Sequence, residues 1–351
     1  MKKSVKLFTG IALAATLVLS GCGKKEDPNN EGAASPSASS SATSDGSGAG
    51  KKFAMVTDVG GVNDKSFNQS AWEGLKELTS TTGAETKYLE SKEDANYLTN
   101  LNQFLGEGYD LTWGIGFLMG DAVKQAAEQN PDAKLAIIDN EVKAPNVESV
   151  LFAENEGSYL VGVVAGLMTK TNKIGFIGGI DIPVIKRFEK GFLAGVKEVN
   201  PKAEVTVNYT GAFDKADLGK AAAATIYNDG ADIIFHASGG TGDGVFNEAQ
   251  ERFNNGKKVW VIGVDKDQSL TFGDDITLTS MMKRVDQAVL SVSKDLLAGT
   301  FNGGKVTTLG LKEEGVGLPE TSKKNVPEDI LKKVEEYKAK IISGEIKVPA
   351  E

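Results

Sequence analysis

The chain has 351 residues, with 39 Lys and Arg against 48 Asp and Glu, and a formal charge of −9. An acidic chain without a basic cluster is a poor partner for nucleic acid, where neutralising phosphates dominates affinity. A single cysteine, Cys22, and a single histidine, His236, exclude a disulfide, a cysteine-based metal site and a multi-histidine metal site.

The N-terminus carries Lys2, Lys3 and Lys6 ahead of an apolar stretch over 10–19. A helix needs about 20 apolar residues to cross a bilayer, so this stretch reads as a cleaved signal rather than an anchor. It runs into Leu19-Ser20-Gly21-Cys22, which is similar to a bacterial lipobox. In that resemblance residues 1–21 are removed and the Cys22 thiol is lipidated. Residues 22–50 follow as a tether of Lys, Asn, Ala, Ser, Thr and Gly, too polar to offset the entropy of ordering it. Such a segment has a reach of about 30 Å.

From residue 52 short apolar runs alternate with helical periods. Strands are expected over 53–57, 86–89, 111–114, 134–138 and 147–152, with helices over 67–78, 97–105 and 121–129 between them. A glycine-bearing helix over 154–169 follows. A second set then begins, with strands over 173–177, 204–209, 232–236, 258–264 and 277–281 and a helix over 187–199. Lys283 opens the next expected helix, a strand covers 306–311, and a last helix runs from about 327 to 342. Runs apolar throughout and separated by helices argue for parallel βαβ units covered on both faces. The roughly 300 residues involved exceed what one core usually supports. The expected architecture is therefore α/β, two doubly wound Rossmann-like lobes, with 51–168 plus 268–305 forming the first and 169–267 plus 306–345 the second.

Ligands of open α/β sheets bind beyond the carboxyl ends of the strands. There the sequence places Asp58 in TDVGGVNDKSFN, Asp121 in GIGFLMGD, Asp139-Asn140, Gly239 and Gly240 in HASGGTGD, and Asp265 in GVD. Lys283 is the obvious cation among them. Ionised carboxylates only accept hydrogen bonds, so they suit a ligand rich in hydroxyl or N–H donors and suit a phosphate badly. The glycine runs would permit phosphate at a helix N-terminus, but Asp121 and Asp243 put negative charge there and no GK[ST] loop exists. Asp64 or Ser66 is placed to cap the following helix. Phe67, Phe117 and Phe188 adjoin these loops; each is either core or a platform for a flat ring, and two across a cleft would form a sandwich. Trp113 and His236, inside apolar runs, read as buried structural residues. No cofactor or resident metal is expected.

The runs TDVGGVNDKSFNQSAWEGL, GIGFLMGDA, GFIGGIDIPVIKRFEKGF, HASGGTGDGVF, VIGVDKDQ and LTSMMKRVDQAV resemble the basic membrane protein family, and within it the purine nucleoside receptor lipoproteins. The resemblance covers nearly all of 52–345 and implies the type I periplasmic binding fold, with lobes joined by a three-segment hinge. It implies that Phe67 and Phe188 stack on the two faces of a purine, that Asp58, Asp64, Asn68 and Asp121 surround the ligand from the first lobe, and that Gly239, Gly240, Asp265 and Lys283 hold ribose hydroxyls. It also implies an ABC permease and ATPase as partners and attachment to the outer face of the cell membrane through the lipid alone. Three alternatives stay open. One is a monosaccharide receptor of the same fold. Another is a sensing lipoprotein without a transport partner. An enzyme would have to rely on His236 or a cleft aspartate.

Overall fold

The computed structural model describes residues 44–351. The expected signal, Cys22 and most of the tether lie outside the described residues. The last part of the expected tether, 44–50, is fastened: the amides of Asp45 and Gly48 donate to the carbonyls of Thr81 and Thr82 at 2.8 and 2.9 Å.

In chain order the elements are β1 (Lys52–Thr57), α1 (Phe67–Thr82), β2 (Glu85–Leu89), α2 (Tyr97–Gly106), β3 (Leu111–Ile115), α3 (Gly120–Gln129), β4 (Leu135–Ile138), β5 (Val147–Phe152) and α4 (Glu154–Met168). There follow β6 (Lys173–Gly178), α5 (Pro183–Val199), β7 (Glu204–Tyr209), α6 (Ala216–Asn228), β8 (Ile233–Ala237), α7 (Gly242–Asn254), β9 (Trp260–Asp265) and α8 (Ser269–Phe272). The chain ends with β10 (Thr277–Lys283), α9 (Val285–Leu297), β11 (Val306–Leu309), β12 (Val316–Gly317) and α10 (Glu328–Ile342).

These strands form two six-stranded sheets, ordered β11-β5-β4-β3-β1-β2 and β12-β10-β9-β8-β6-β7. The strand order is the same in each, so the molecule is a duplicated doubly wound unit. All pairings are parallel except the antiparallel β10–β12 pair. The inner strands β3, β4 and β8 are buried at every position, as their largely apolar sequences require when helices cover both faces. Pro183 opens α5, where its missing N–H costs nothing.

The chain passes between the sheets three times, after β5, β10 and β11. These crossings correct the expected lobe boundaries. β10 pairs with β9, so 277–283 belongs to the second lobe, and β11 pairs with β5, so 306–309 belongs to the first. β10 is buried almost throughout and β11 is a short, half-exposed edge strand, so neither carries a pattern that marks its sheet. Helix α4 also lies with the second lobe, against α5. Gly191 and Gly195 of α5 meet the carbonyls of Asn155 and Tyr159, where a Cβ would lie 2.1 Å from each oxygen. Lys283 is the last residue of β10, not the start of a helix.

A cleft between two lobes

The carboxyl ends of both sheets face each other across a cleft lined by residues of both lobes. Asp58, Asp64, Phe67, Asn68, Phe117 and Asp139 line it from the first lobe. Ile182, Ile185, Phe188, Phe213, Ser238, Gly239, Asp265 and Lys283 line it from the second.

Asp58 directly follows β1 and accepts hydrogen bonds from the Gly60 amide at 2.9 Å and the Asn68 side-chain amide at 2.8 Å. Burial pushes its carboxyl up to about 6 against those bonds. Gly116, with φ of 121°, lets β3 pass close beside it: a Cβ there would stand 3.0 Å from Asp58 Oδ2. Asp64 caps α1, accepting from the backbone amides of Ser66, Asn68 and Gln69 at 2.8–3.0 Å. Asn68 bridges the two carboxylates, its Nδ2 also lying 3.1 Å from Asp64. Its Oδ1 is buried without a hydrogen-bond partner, as is Asp139 Oδ1. Buried polar atoms are seldom left unpaired, so both mark places where a ligand donor would be satisfied.

Lys283 is 1% exposed and sits at the centre of the charge pattern. Its ammonium lies 2.6 Å from Asp139 and 3.0 Å from Glu154, whose other oxygen accepts from Arg187 Nε at 2.6 Å. Burial disfavours the charged ammonium, but Asp139, Glu154 and Asp265 outweigh it and hold the lysine above its ordinary value. The same ammonium stands 5.1 Å from the Phe67 ring centre and 5.6 Å from that of Phe188, so both rings border one charged corner. Asp265 accepts from the Ser66 hydroxyl across the cleft, and burial pushes its carboxyl up to about 7.

The structure thus brings together Asp58, Asp64, Phe67, Asn68, Phe188, Gly239, Asp265 and Lys283. Gly240 adjoins them, a Cβ there lying 3.7 Å from that of Asp64, but it does not line the cleft. Asp121 does not join them: it is exposed on the first turn of α3. Lys124, Gln125 and Glu128 share its polar face, opposite the buried Val123, Ala126 and Ala127, so the helical period turns it to solvent. Trp113 is core, its indole N–H donating to Ser293 at 3.2 Å. His236 is fully buried, and burial pulls it down to about 4. Glu154, Phe213, Ile182 and Ile185 are absent from the sequence-based set. Glu154 in particular looks like an ordinary acidic first-turn residue, favoured there by the helix dipole.

Two doubly wound lobes with a polar, aromatic-flanked cleft at the carboxyl ends of their strands define a solute-binding protein of the type I periplasmic fold. The chain belongs to the Bmp family, described as ABC transporter substrate-binding protein PnrA-like, whose model matches residues 51–351. It is 45% identical to the CD4+ T-cell-stimulating antigen of Listeria innocua, over 99% of each chain. It is 41% identical to the ABC transporter nucleoside-binding protein BmpA of Lactococcus lactis subsp. cremoris, over 100% of both. An ABC transporter solute-binding protein from Aeropyrum pernix superposes with a TM-score of 0.78 at 31% identity, covering 86% of this chain and 94% of that one. Proteins of this class deliver a small molecule to a membrane permease driven by an ATPase.

Proposed function

We propose that the protein is a lipid-anchored receptor that captures purine nucleosides outside the cell membrane and presents them, chemically unchanged, to an ABC importer. The observation that carries this reading is the pairing of Phe67 and Phe188, from opposite lobes, beside a buried set of acceptors. Two aromatic walls suit a flat heterocycle. Asp58, Asp265 and Asn68 Oδ1 suit the hydroxyl and N–H donors of a nucleoside and repel a nucleotide's phosphate. The Lactococcus relative, an ABC transporter nucleoside-binding protein, supports the same ligand class. Phe67 and Phe188 would hold the base, with Asp265, Lys283 and the Gly239 backbone near the sugar. Cys22 would carry the lipid that keeps the receptor near its permease.

Calorimetric titration of refolded residues 44–351 with guanosine, inosine, adenosine, cytidine and ribose tests the ligand. Sub-micromolar binding of purine nucleosides, with weak cytidine and ribose, is the expected result. Ribose alone binding would move the ligand class to sugars and sink the sandwich. Intact nucleoside after hours with the protein is expected, and hydrolysis would overturn the non-enzymatic reading. Membrane association of the full chain should be lost in Cys22→Ala; retention would remove the lipid anchor.

A further inference from the structure

Ser238 is 1% exposed to solvent yet lines the cleft at the end of β8. Its hydroxyl lies 3.2 Å from His236 Nδ1, and the other ring nitrogen, Nε2, lies 2.9 Å from Gln268 Oε1. A hydroxyl can donate or accept, and a neutral imidazole has two tautomers, so neither contact alone fixes a direction. Gln268 fixes both. Its Oε1 receives the backbone N–H of Val264 at 2.9 Å, and its Nε2 donates to the backbone carbonyl of Lys65 at 3.2 Å. A backbone amide cannot accept and a carbonyl cannot donate, so the glutamine has one permitted orientation.

The atom facing His236 Nε2 is therefore an acceptor, and that nitrogen must carry the proton. Burial keeps the ring neutral at physiological pH. Turning the ring over would set carbons against both polar partners. Gly242 also holds it in place, since a Cβ there would fall 2.1 Å from His236 Cε1. Nδ1 is then a bare lone pair, and the Ser238 hydroxyl must spend its single proton on it.

We propose that Ser238 is a specificity-determining residue, locked by His236 and Gln268 so that its oxygen offers only lone pairs to the cleft and selects ligands that present a hydrogen-bond donor there. The ligand side of this inference rests on the nucleoside reading; the acceptor assignment does not. The Lys65 carbonyl comes from the first lobe, so the orientation of Gln268 is completed only when the lobes are together.

His236 is the only histidine, so long-range ¹⁵N–¹H spectra of uniformly labelled protein report it without mutagenesis. At neutral pH Nδ1 should resonate as an unprotonated nitrogen and Nε2 as a protonated one. The opposite tautomer, or a charged ring, would overturn the proposal. This holds even if no nucleoside binds, a result that would sink the functional reading alone. On the binding side, Ser238→Ala and wild type are titrated with guanosine, inosine, 1-methylguanosine and the 2′-, 3′- and 5′-fluoro-deoxy analogues, in which a near-isosteric fluorine removes the donor. One donor position should matter to wild type by about tenfold and not to Ser238→Ala. If every analogue loses the same factor in both proteins, Ser238 reads no ligand donor and the proposal fails.

Discussion

Asp139 and Asp265 occupy the same place in the two lobes. Each closes the fourth strand of its set, and each has a left-handed backbone, with φ of 71° and 64°. Non-glycine residues rarely adopt that conformation, and here it turns a carboxylate from the strand end into the cleft. Their surroundings differ. Asp139 is paired directly with Lys283, whereas Asp265 has a serine hydroxyl as its hydrogen-bond partner and feels the lysine only at longer range. The duplicated backbone supplies two equivalent acceptors, and the one lysine at the end of β10 makes them unequal. Asp139 joins an ion network with Glu154 and Arg187 and keeps only its Oδ1 for a ligand donor. Asp265 is left without a direct lysine contact, with capacity for a ligand and for the opposite lobe.

Removing Lys283 should break this asymmetry most severely. Lys283→Met leaves Asp139 and Glu154 buried without their ammonium, and breaking such a pair typically costs about 3–5 kcal/mol. Chemical denaturation should show that loss, and titration a loss of the proposed nucleoside binding. A stability change below about 1 kcal/mol would mean the network is looser than its distances imply.

The aromatic pair divides next. Phe188→Ala should cost about 3–5 kcal/mol of stability, because its ring also packs against Phe235. Phe67→Ala, half-buried at the cleft edge, should keep stability within about 1 kcal/mol of wild type while weakening nucleoside affinity. Equal destabilisation by both, measured by thermal unfolding alongside titration, would contradict the separation of core wall from cleft wall.

Proton linkage sharpens the contrast more gently. The folded carboxyl of Asp265 titrates near 7 against an ordinary 3.8, so the folded state holds a proton that the unfolded state releases. Its contribution to stability is complete below about pH 4 and is lost as pH rises through about 7. Asp58, pushed up to about 6, acts with the same sign over a narrower window. Asp265→Asn should flatten the decline of Tm between these limits; an unchanged slope would show that Asp265 is not the titrating group. The smallest effects belong to the partly exposed ties across the cleft, Lys65–Asp243 and Lys266–Glu73, each 2.6 Å long. Alanine at either lysine should cost at most about 1 kcal/mol, visible as a few-fold faster ligand release in stopped-flow measurements.

The alternation of apolar runs and helical periods makes nearly every strand legible, and the rule that ligands meet strand ends finds Asp58, Asp265 and Lys283. What stays hidden has a common cause. Glu154 and Asp121 both stand in the first turn of a helix with ordinary local sequences; one is fully buried against a lysine 129 positions later, and the other faces solvent. For Asp121 the helical period already carries the answer, since Lys124, Gln125 and Glu128 share its polar face; for Glu154 tertiary packing alone decides it. The same holds for β10 and β11, whose sequences specify strands but not which sheet receives them.

That placement has a consequence for how the molecule is made. β11 borders β5 in the first sheet and β12 borders β10 in the second. Neither sheet is finished until residues 306–317 have left the ribosome. A nascent chain that ends between β10 and β11 exposes β5 and β10 as unprotected edges able to recruit another strand. A premature stop anywhere before residue 306 therefore yields no complete lobe, and cutting the gene at its midpoint cannot yield two independent halves.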